Sequence, residues 1–361
     1  MSIANAVTGR LIQIMERGML PDLTVRAGIR HLCKTRLKTL SSHTLDDAQE
    51  NLNHYLDDLR SGPIAIHTED ANKQHYELPP EFFGLVLGKN RKYSSAFWPI
   101  GCGNLDEAED LALALTCARA ELLDGQDILE LGCGWGSLSL YMAMKFPRSR
   151  ITALSNSAPQ RKYIEGEAKR RGLTNLQILT RNISETQEIT ENNTNFDRVV
   201  SVEMFEHLKN YQVLLERISK WLKPEGKLFV HIFTHKLFSY PFETEGEDNW
   251  MGKYFFTGGQ MPGHHLLTHF QDHLKLEQQW AWNGSHYSKT AAAWLKNLDQ
   301  NRTDALAILD QIYGHHGASE KFLWLNRWRV FFMSCEELFG YQDGSEWGVS
   351  HYLFKNRKAL N

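Results

Sequence analysis

The sequence predicts an α/β fold, a parallel sheet with helices on both faces. Short apolar runs alternate with amphipathic helical stretches from about residue 105 onward, the pattern of a sheet whose crossovers are helices. The first of these runs opens into a glycine-rich turn and then a helix, an arrangement that places ligands at the carboxyl edge of the sheet. Up to about residue 75 the chain shows only helical periodicity, so a helical region precedes the sheet.

Within residues 1–75, Leu11, Ile12, Ile14 and Met15, then Ile29, Leu32 and Cys33, recur at helical spacing, and Leu52, Leu56 and Leu59 share one face of the polar stretch 46–60. Glu77-Leu78-Pro79-Pro80 breaks the pattern, because proline disfavours helix before it. LDEAEDLALALTCARAELL is an amphipathic helix ending near Asp124-Gly125. Strands are expected at 127–133, 150–156, 176–182, 196–204 and 226–233. The helices SLSLYMAMKF, PQRKYIEGEAKRRG and YQVLLERISKWL separate them, with Gly172 as a C-cap signal. Residues 236 to about 270 lose the rhythm and are rich in aromatics, Gly and His; an insertion over the sheet's carboxyl edge is expected. A sixth strand at 274–284, two helical stretches (SKTAAAWLKNLDQN and FLWLNRWRVFFMSCEELFG) and a closing strand at 347–356 complete the chain. The expected division is a helical N-terminal region at 1–75, a cofactor-binding core at 76–235, a cap and substrate region at 236–345 and the closing strand of the core at 346–361.

Composition narrows the function classes. The 361 residues suit one large domain with additions, or two domains. A formal net charge of -3 argues against nucleic acid as the main partner. KTRLK (34–38) is a modest basic cluster that a solvated helix face explains. The absence of an 18-residue apolar run or a signal-like start leads to the expectation of a cytoplasmic protein without a transmembrane segment. Five scattered cysteines with no CxxC pair read as free thiols in a reducing compartment, and no metal site is expected. The adjacent pairs His264-His265 and His315-His316 read as ordinary loop or core histidines pointing to different sides of their elements.

ILELGCGWGSL (128–138) sits between a strand and a helix. Gly132 permits the tight turn, Gly134 and Gly136 let a ligand approach the backbone, and the next helix presents its amide N–H groups. Dinucleotide-binding folds use similar loops. Two details favour S-adenosylmethionine (SAM): Glu130 lies two residues before the first glycine, where a carboxylate can hold the methionine ammonium, and Ser137 replaces the third glycine of GxGxxG. After the second strand, Asn156 and Gln160 can hydrogen-bond ribose hydroxyls without charge. After the third, the carbonyl oxygen of Asn182 can meet the adenine amino group. Capping of the strand ends is the alternative for Asn156 and Asn182.

VSVEMFEHLKNY follows the fourth strand. On a helical turn, Glu203 would lie beside both Glu206 and His207. A protonated amine must lose its proton before it attacks a sulfonium, and a carboxylate or imidazole supplies both a cation site and a proton acceptor. His231, near the end of the fifth strand, faces the same pocket or else is a satisfied core histidine.

Tyr93 to Lys355 resembles the cyclopropane fatty acid synthase-like superfamily of SAM-dependent methyltransferases, with the nearest likeness to the coclaurine N-methyltransferase-like group. The resemblance is carried by YSSAFW with LDEAE, ILELGCGWGSLSLYMA, ITALSNSAPQRKYIE, SVEMFEHLKNY, WLKPEGKLFVHIFTHK, NGSHYSKTAAAWLKNL and FGYQDGSEWGVSHYLFK. It implies a class I methyltransferase, Rossmann-like, with a seven-stranded sheet, a helical N-terminal arm and a cap insertion. It implies SAM contacts at Tyr93, Ser94, Gly132, Gly134, Asn156, Gln160, Asn182 and Ile183, with Asn182 standing where the family usually has Asp. In the lipid-acting synthases the counterparts of Glu206, His231 and Tyr287 hold a bicarbonate that serves as base. Here Ser95 replaces that group's Cys, and Glu203 stands where that group has Gly, as in the amine methyltransferases, whose base pair maps to Glu203 and His207. Both departures disfavour bicarbonate.

The leading expectation is therefore methyl transfer from SAM to the nitrogen of a small-molecule amine. Cap aromatics such as Phe238, Tyr240, Phe242, Trp250, Tyr254 and Phe255 either hold that amine or form the cap core. Methylation or cyclopropanation of unsaturated phospholipid acyl chains is the second reading, and a non-catalytic SAM-binding regulator the third. A homodimer is compatible with the sequence, which does not set the oligomeric state.

Overall fold

The computed structural model describes residues 3–41, 44–65, 78–189, 195–246 and 249–357. The expected boundary near 75 lies outside the described residues. In chain order the strands are β1 (Asp127–Leu131), β2 (Arg150–Ser155), β3 (Leu176–Thr180), β4 (Phe196–Val202), β5 (Leu222–His235), β6 (Tyr240–Pro241), β7 (Gln260–Met261), β8 (Leu274–Trp282) and β9 (Trp347–Asn356).

Seven of them form one sheet in the order β3-β2-β1-β4-β5-β9-β8, and β6 and β7 pair separately in the cap. Strands β1 to β5 are mutually parallel, whereas β9 runs antiparallel to both β5 and β8. The sheet is thus mixed, with β9 the reversed strand. Every residue of β1 is buried, as expected for a central strand covered by helices on both faces. The strand order reverses between β1 and β4, so their carboxyl ends open a crevice for ligand. β5 is longer than expected at both ends: Leu222 pairs with Phe196 of β4, and the pairing with β9 continues through His235.

Helices fill the crossovers as the periodicity indicates, and side-chain caps fix several starts. Asn104 accepts from the Glu107 N–H at 3.0 Å, and Asn210 from the Val213 N–H at 3.1 Å, satisfying donors that the first helical turn leaves open. After β8 there are three helices, not the expected two: Ser285–Gln300, Arg302–Tyr313 and Glu320–Gly340. The additional one buries Ala305, Leu309 and Tyr313, spaced four apart on a single face.

The N-terminal helices lie against the helix Glu320–Gly340. Arg26 bridges Glu336 and Glu337 at 2.7 and 2.8 Å, and Arg329 reaches Asp22 at 2.7 Å. Beneath these pairs an aromatic core joins the N-terminal helices, the cap and the face of the sheet domain: Phe82, Phe83, Trp135, Phe255, Trp294, Trp328, Phe331 and Phe332. The cap aromatics belong mainly to this packing. Phe255 is fully buried and stacks on Phe331 with centroids 4.3 Å apart, the Trp250 Nε1–H donates to Glu16, and Tyr240 accepts from the Trp347 indole.

The histidine pairs lie in connecting segments, as expected, His264-His265 in a turn and His315-His316 in a short 3-10 helix, but their rings lie together and do not point to different sides, with centroids 4.8 Å and 3.8 Å apart. The five cysteines are free, and among the described residues no helix is long and apolar enough to cross a membrane.

Trp328 touches Phe82, Phe83, Phe255, Phe331 and Phe332 at centroid distances of 5.2–6.1 Å. Trp328→Ala should lower stability by about 3–5 kcal/mol, read as a shifted denaturation midpoint.

Candidate active site

The crevice at the carboxyl ends of β1 and β4 holds a pocket of about 580 Å³, open mouth included, and such convergent clefts are where small ligands bind. Its lining includes Tyr93, Ser94, Glu130, Gly132, Gly134 and Glu203, six of the residues singled out from sequence.

The glycine loop has three different jobs. Gly132, at φ +79°, makes the turn, and a Cβ there would strike Met204 at 2.7 Å. Gly134, at φ +51°, faces open space and is the one that lets a ligand approach. Gly136 departs from expectation: a Cβ would lie 2.7 Å from Ile164 Cγ1, so this glycine permits helix Ser137–Lys145 to pack on helix Ala158–Arg170. Glu130 is buried and accepts from the Ser139 hydroxyl; burial raises its carboxyl to about 7, against the lowering effect of that bond. The pocket wall also holds the Trp135 indole N–H and the Ser137 hydroxyl, buried polar groups without a partner among the described residues. A polar, charged cofactor such as SAM fits such a wall, since orphaned donors in a pocket are met by ligand.

The other expected cofactor residues lie around the edge. Gln160 is buried, accepts from Ser155 Oγ at 2.7 Å and keeps an unpartnered Nε2 donor group. Asn156 is exposed at the end of β2. The Asn182 carbonyl oxygen accepts from the Ser184 N–H at 3.1 Å and hydroxyl at 2.8 Å, so it caps its own turn. Ile183 packs against the core cluster on the β4–β5 side of the sheet.

The acid–base cluster is not a helical turn. Only Phe205–His207 forms a short 3-10 turn, and Glu203 precedes it with φ +46°, a left-handed conformation that costs an L side chain about 1–2 kcal/mol. Such strain gathers at functional sites. The conformation aims the carboxylate at three donors. Oε1 accepts from the Ser95 N–H at 2.9 Å and bonds His231 Nε2 at 3.1 Å, and Oε2 accepts from the Tyr287 hydroxyl at 2.7 Å. The Glu203 carboxylate engages His231 and Tyr287, two of the three groups that the resemblance assigns to a bicarbonate, in line with the two sequence departures that disfavour that ion.

Burial raises the Glu203 carboxyl; Lys92, the Ser95 N–H, the Tyr287 hydroxyl and His207 pull it down. Burial and the Glu203 charge push Glu206 well above the carboxylate range, and Glu206 Oε2 has no partner among the described residues. Two neighbouring buried carboxyls with unequal support separate into one anion and one acid. Glu203, with its donors, is the anion, and Glu206 keeps the proton. Burial lowers His207 to about 4, so it is neutral; it stacks on Phe256 with centroids 5.8 Å apart.

Lys92, Glu109, Arg119 and His351 escaped the sequence reading. Lys92 is buried in the pocket wall, donates to Ser94 Oγ and, at 2.6 Å, to the Ser95 carbonyl, and is lowered to about 8 by burial. Glu109 accepts from the Gly88 and Asn90 N–H groups at 3.0 and 2.9 Å, fixing the loop that carries Lys92. Its sequence signal was an acid at a position that the helical pattern makes apolar. His351 lies on the closing strand, cross-strand from His231.

The sheet order, glycine loop and pocket define a class I methyltransferase architecture. The family model "Mycolic acid cyclopropane synthetase" matches residues 65–344. (S)-coclaurine N-methyltransferase of Thalictrum flavum subsp. glaucum is 37% identical over 98% of this chain and 97% of its own length. Cyclopropane-fatty-acyl-phospholipid synthase of Escherichia coli K12 is 29% identical over 73% of this chain and 68% of its own. A crystal structure of coclaurine N-methyltransferase with N-methylheliamine and S-adenosylhomocysteine (SAH) superposes with a TM-score of 0.92 at 35% identity, covering 96% of this chain and 99% of that one. The chain belongs to the mycolic acid cyclopropane synthetase family. It is a SAM-dependent methyltransferase.

The glycines should respond differently to a methyl group. Gly136→Ala should lower stability by about 2–4 kcal/mol, through strain and overpacking. Gly134→Ala should cost only about 1 kcal/mol while weakening SAH binding. Thermal unfolding and calorimetric titration separate the two.

Proposed function

We propose that the enzyme methylates the nitrogen of a small-molecule amine, with Glu203 as the cation site and proton acceptor. The carrying observation is the Glu203 carboxylate held by Ser95, His231 and Tyr287 at the pocket. An anion fixed there attracts an ammonium and accepts its proton, leaving the nitrogen lone pair to attack. When bound, SAM supplies a methyl group from its sulfonium. The acceptor nitrogen's proton goes to the Glu203 carboxylate, which frees the lone pair that would take that methyl group. Glu203 and the neighbouring neutral Glu206 and His207 line up the acceptor, and alignment is the main demand of an in-line displacement. Glu130 is placed to hold the methionine ammonium, and Gln160 to donate to a ribose hydroxyl.

The family's amine-acting and lipid-acting members are both relatives, and two observations favour the amine. The nearly full-length relative is named for N-methylation, and a protein-borne carboxylate displaces the bicarbonate of the lipid chemistry. Five free cysteines support a cytoplasmic setting.

Incubation with labelled SAM and an amine panel, beside phospholipid vesicles, tests the acceptor. Label is expected in an amine; label in vesicles alone overturns the proposal. Glu203→Gln should reduce amine methylation by at least about 100-fold with SAH binding retained; unchanged turnover would remove Glu203 from the base role. Glu203 works as the anion, so activity is present above its pKa and falls as pH drops through it. Lys92→Met removes a charge that lowers this pKa, so the acid limb of kcat/KM should move up by about one pH unit.

A further inference from the structure

Behind Glu203 runs a line of buried hydrogen bonds that ends near the protein surface. His231 Nε2 meets Glu203 Oε1 at 3.1 Å, His231 Nδ1 meets His351 Nε2 at 2.8 Å, and His351 Nδ1 meets an Arg119 guanidinium nitrogen at 2.8 Å. The two histidines are register partners on β5 and β9, and both are at most 1% exposed. Trp282 closes over them, its ring 5.4 Å from His231 and 4.5 Å from His351. Arg119, at the last residue of helix Leu105–Arg119, is partly exposed and lies over Trp280 at 4.9 Å.

The chemistry of the line is determined from its outer end. A guanidinium only donates, and a neutral imidazole has one donor and one acceptor nitrogen. Burial keeps both imidazoles neutral, reinforced for each by the positive charges of Lys92 and Arg119. Arg119 donating to His351 Nδ1 therefore puts the His351 proton on Nε2. That proton is donated to His231 Nδ1, which leaves the His231 proton on Nε2, pointing at Glu203. The inner end requires the same answer, because an ionised carboxylate only accepts. Reversing either imidazole would set two donors or two acceptors against each other inside the core, which is costly where water is excluded.

We propose that Arg119 is a positioning residue for methyl transfer, setting the tautomers of His351 and His231 so that His231 donates to the Glu203 carboxylate. This rests on the reading of Glu203 as the cation site and proton acceptor. Arg119 lies two histidines away from that carboxylate and acts only through them. The other titratable groups around Glu203 are Lys92, Glu206, His207, Tyr287 and, on the helix Glu320–Gly340, Cys335.

Two substitutions separate donation from charge and packing. Arg119→Gln removes the charge and the stacking on Trp280 but keeps an N–H donor for His351; Arg119→Met removes the donor as well. Arg119→Met should lower kcat/KM for the amine at least about tenfold, with KM for SAM unchanged. Its acid limb should move to higher pH, because the carboxylate loses a donor. Arg119→Gln should stay within about threefold of the parent with the limb in place. Equal losses in both variants, or no loss in Arg119→Met, overturn the proposal. Long-range 1H–15N spectra of histidine-labelled full-length enzyme, assigned with His231→Phe and His351→Phe, read the tautomers without reference to activity or to the folding of the Arg119 variants. Nε2–H signals for both histidines are expected, and an Nδ1–H signal for either overturns the assignment. If Glu203→Gln leaves turnover intact while both tautomers are as stated, the reading of Glu203 fails and the order of the hydrogen-bond line stands.

Discussion

A buried carboxylate must be matched by donors, and the arrangement around Glu203 follows from that requirement. Its three donors come from distant parts of the chain: a backbone N–H at Ser95, an imidazole on β5 and a phenol on the helix Ser285–Gln300. Each is fixed by something else. Lys92 binds the Ser95 carbonyl, Glu109 holds the loop before it, and Tyr287 stacks on Phe339 at 4.2 Å. The cap helices are therefore part of the candidate site, since moving them would remove a donor from a carboxylate that is only 7% exposed.

The same requirement divides labour among the three groups of the VEMFEH segment. All are enclosed and close together, yet they hold different protonation states. Glu203 has donors and is the anion; Glu206 Oε2 has none and faces the Glu203 charge; His207 is neutral against an aromatic ring. Sequence spacing shows the three residue types together. Their separation into acid, anion and neutral base depends on which donors the folded chain supplies.

The sheet was legible because its strands are apolar runs punctuated by turn residues, and the loop 128–138 because glycines mark positive φ. Long-range geometry was less visible. Nothing near Gly136 in sequence shows that Ile164 would press on it, and nothing in WGVSHYLFK shows that His351 would lie beside His231. The helix Arg302–Tyr313 was missed although its buried residues fall at helical spacing, since it follows the previous helix with only Asn301 between them. Asn182 shows why such readings stay open in sequence: an amide at a strand end suits a ligand contact or a cap equally, and here Ser184, two residues away, donates to its carbonyl oxygen.

The left-handed backbone at residue 203 has a meaning for how such enzymes diverge. A glycine relaxes in that conformation, and a glutamate fills the space beside His231 and Tyr287 with its own carboxylate. Glycine or glutamate can therefore occupy the same turn without rebuilding the strand that ends there or the groups that surround it. One choice leaves an anion-sized hollow to be filled from solution; the other tethers the anion to the chain. Whether the base is borrowed or built in then turns largely on the side chain at this one left-handed position.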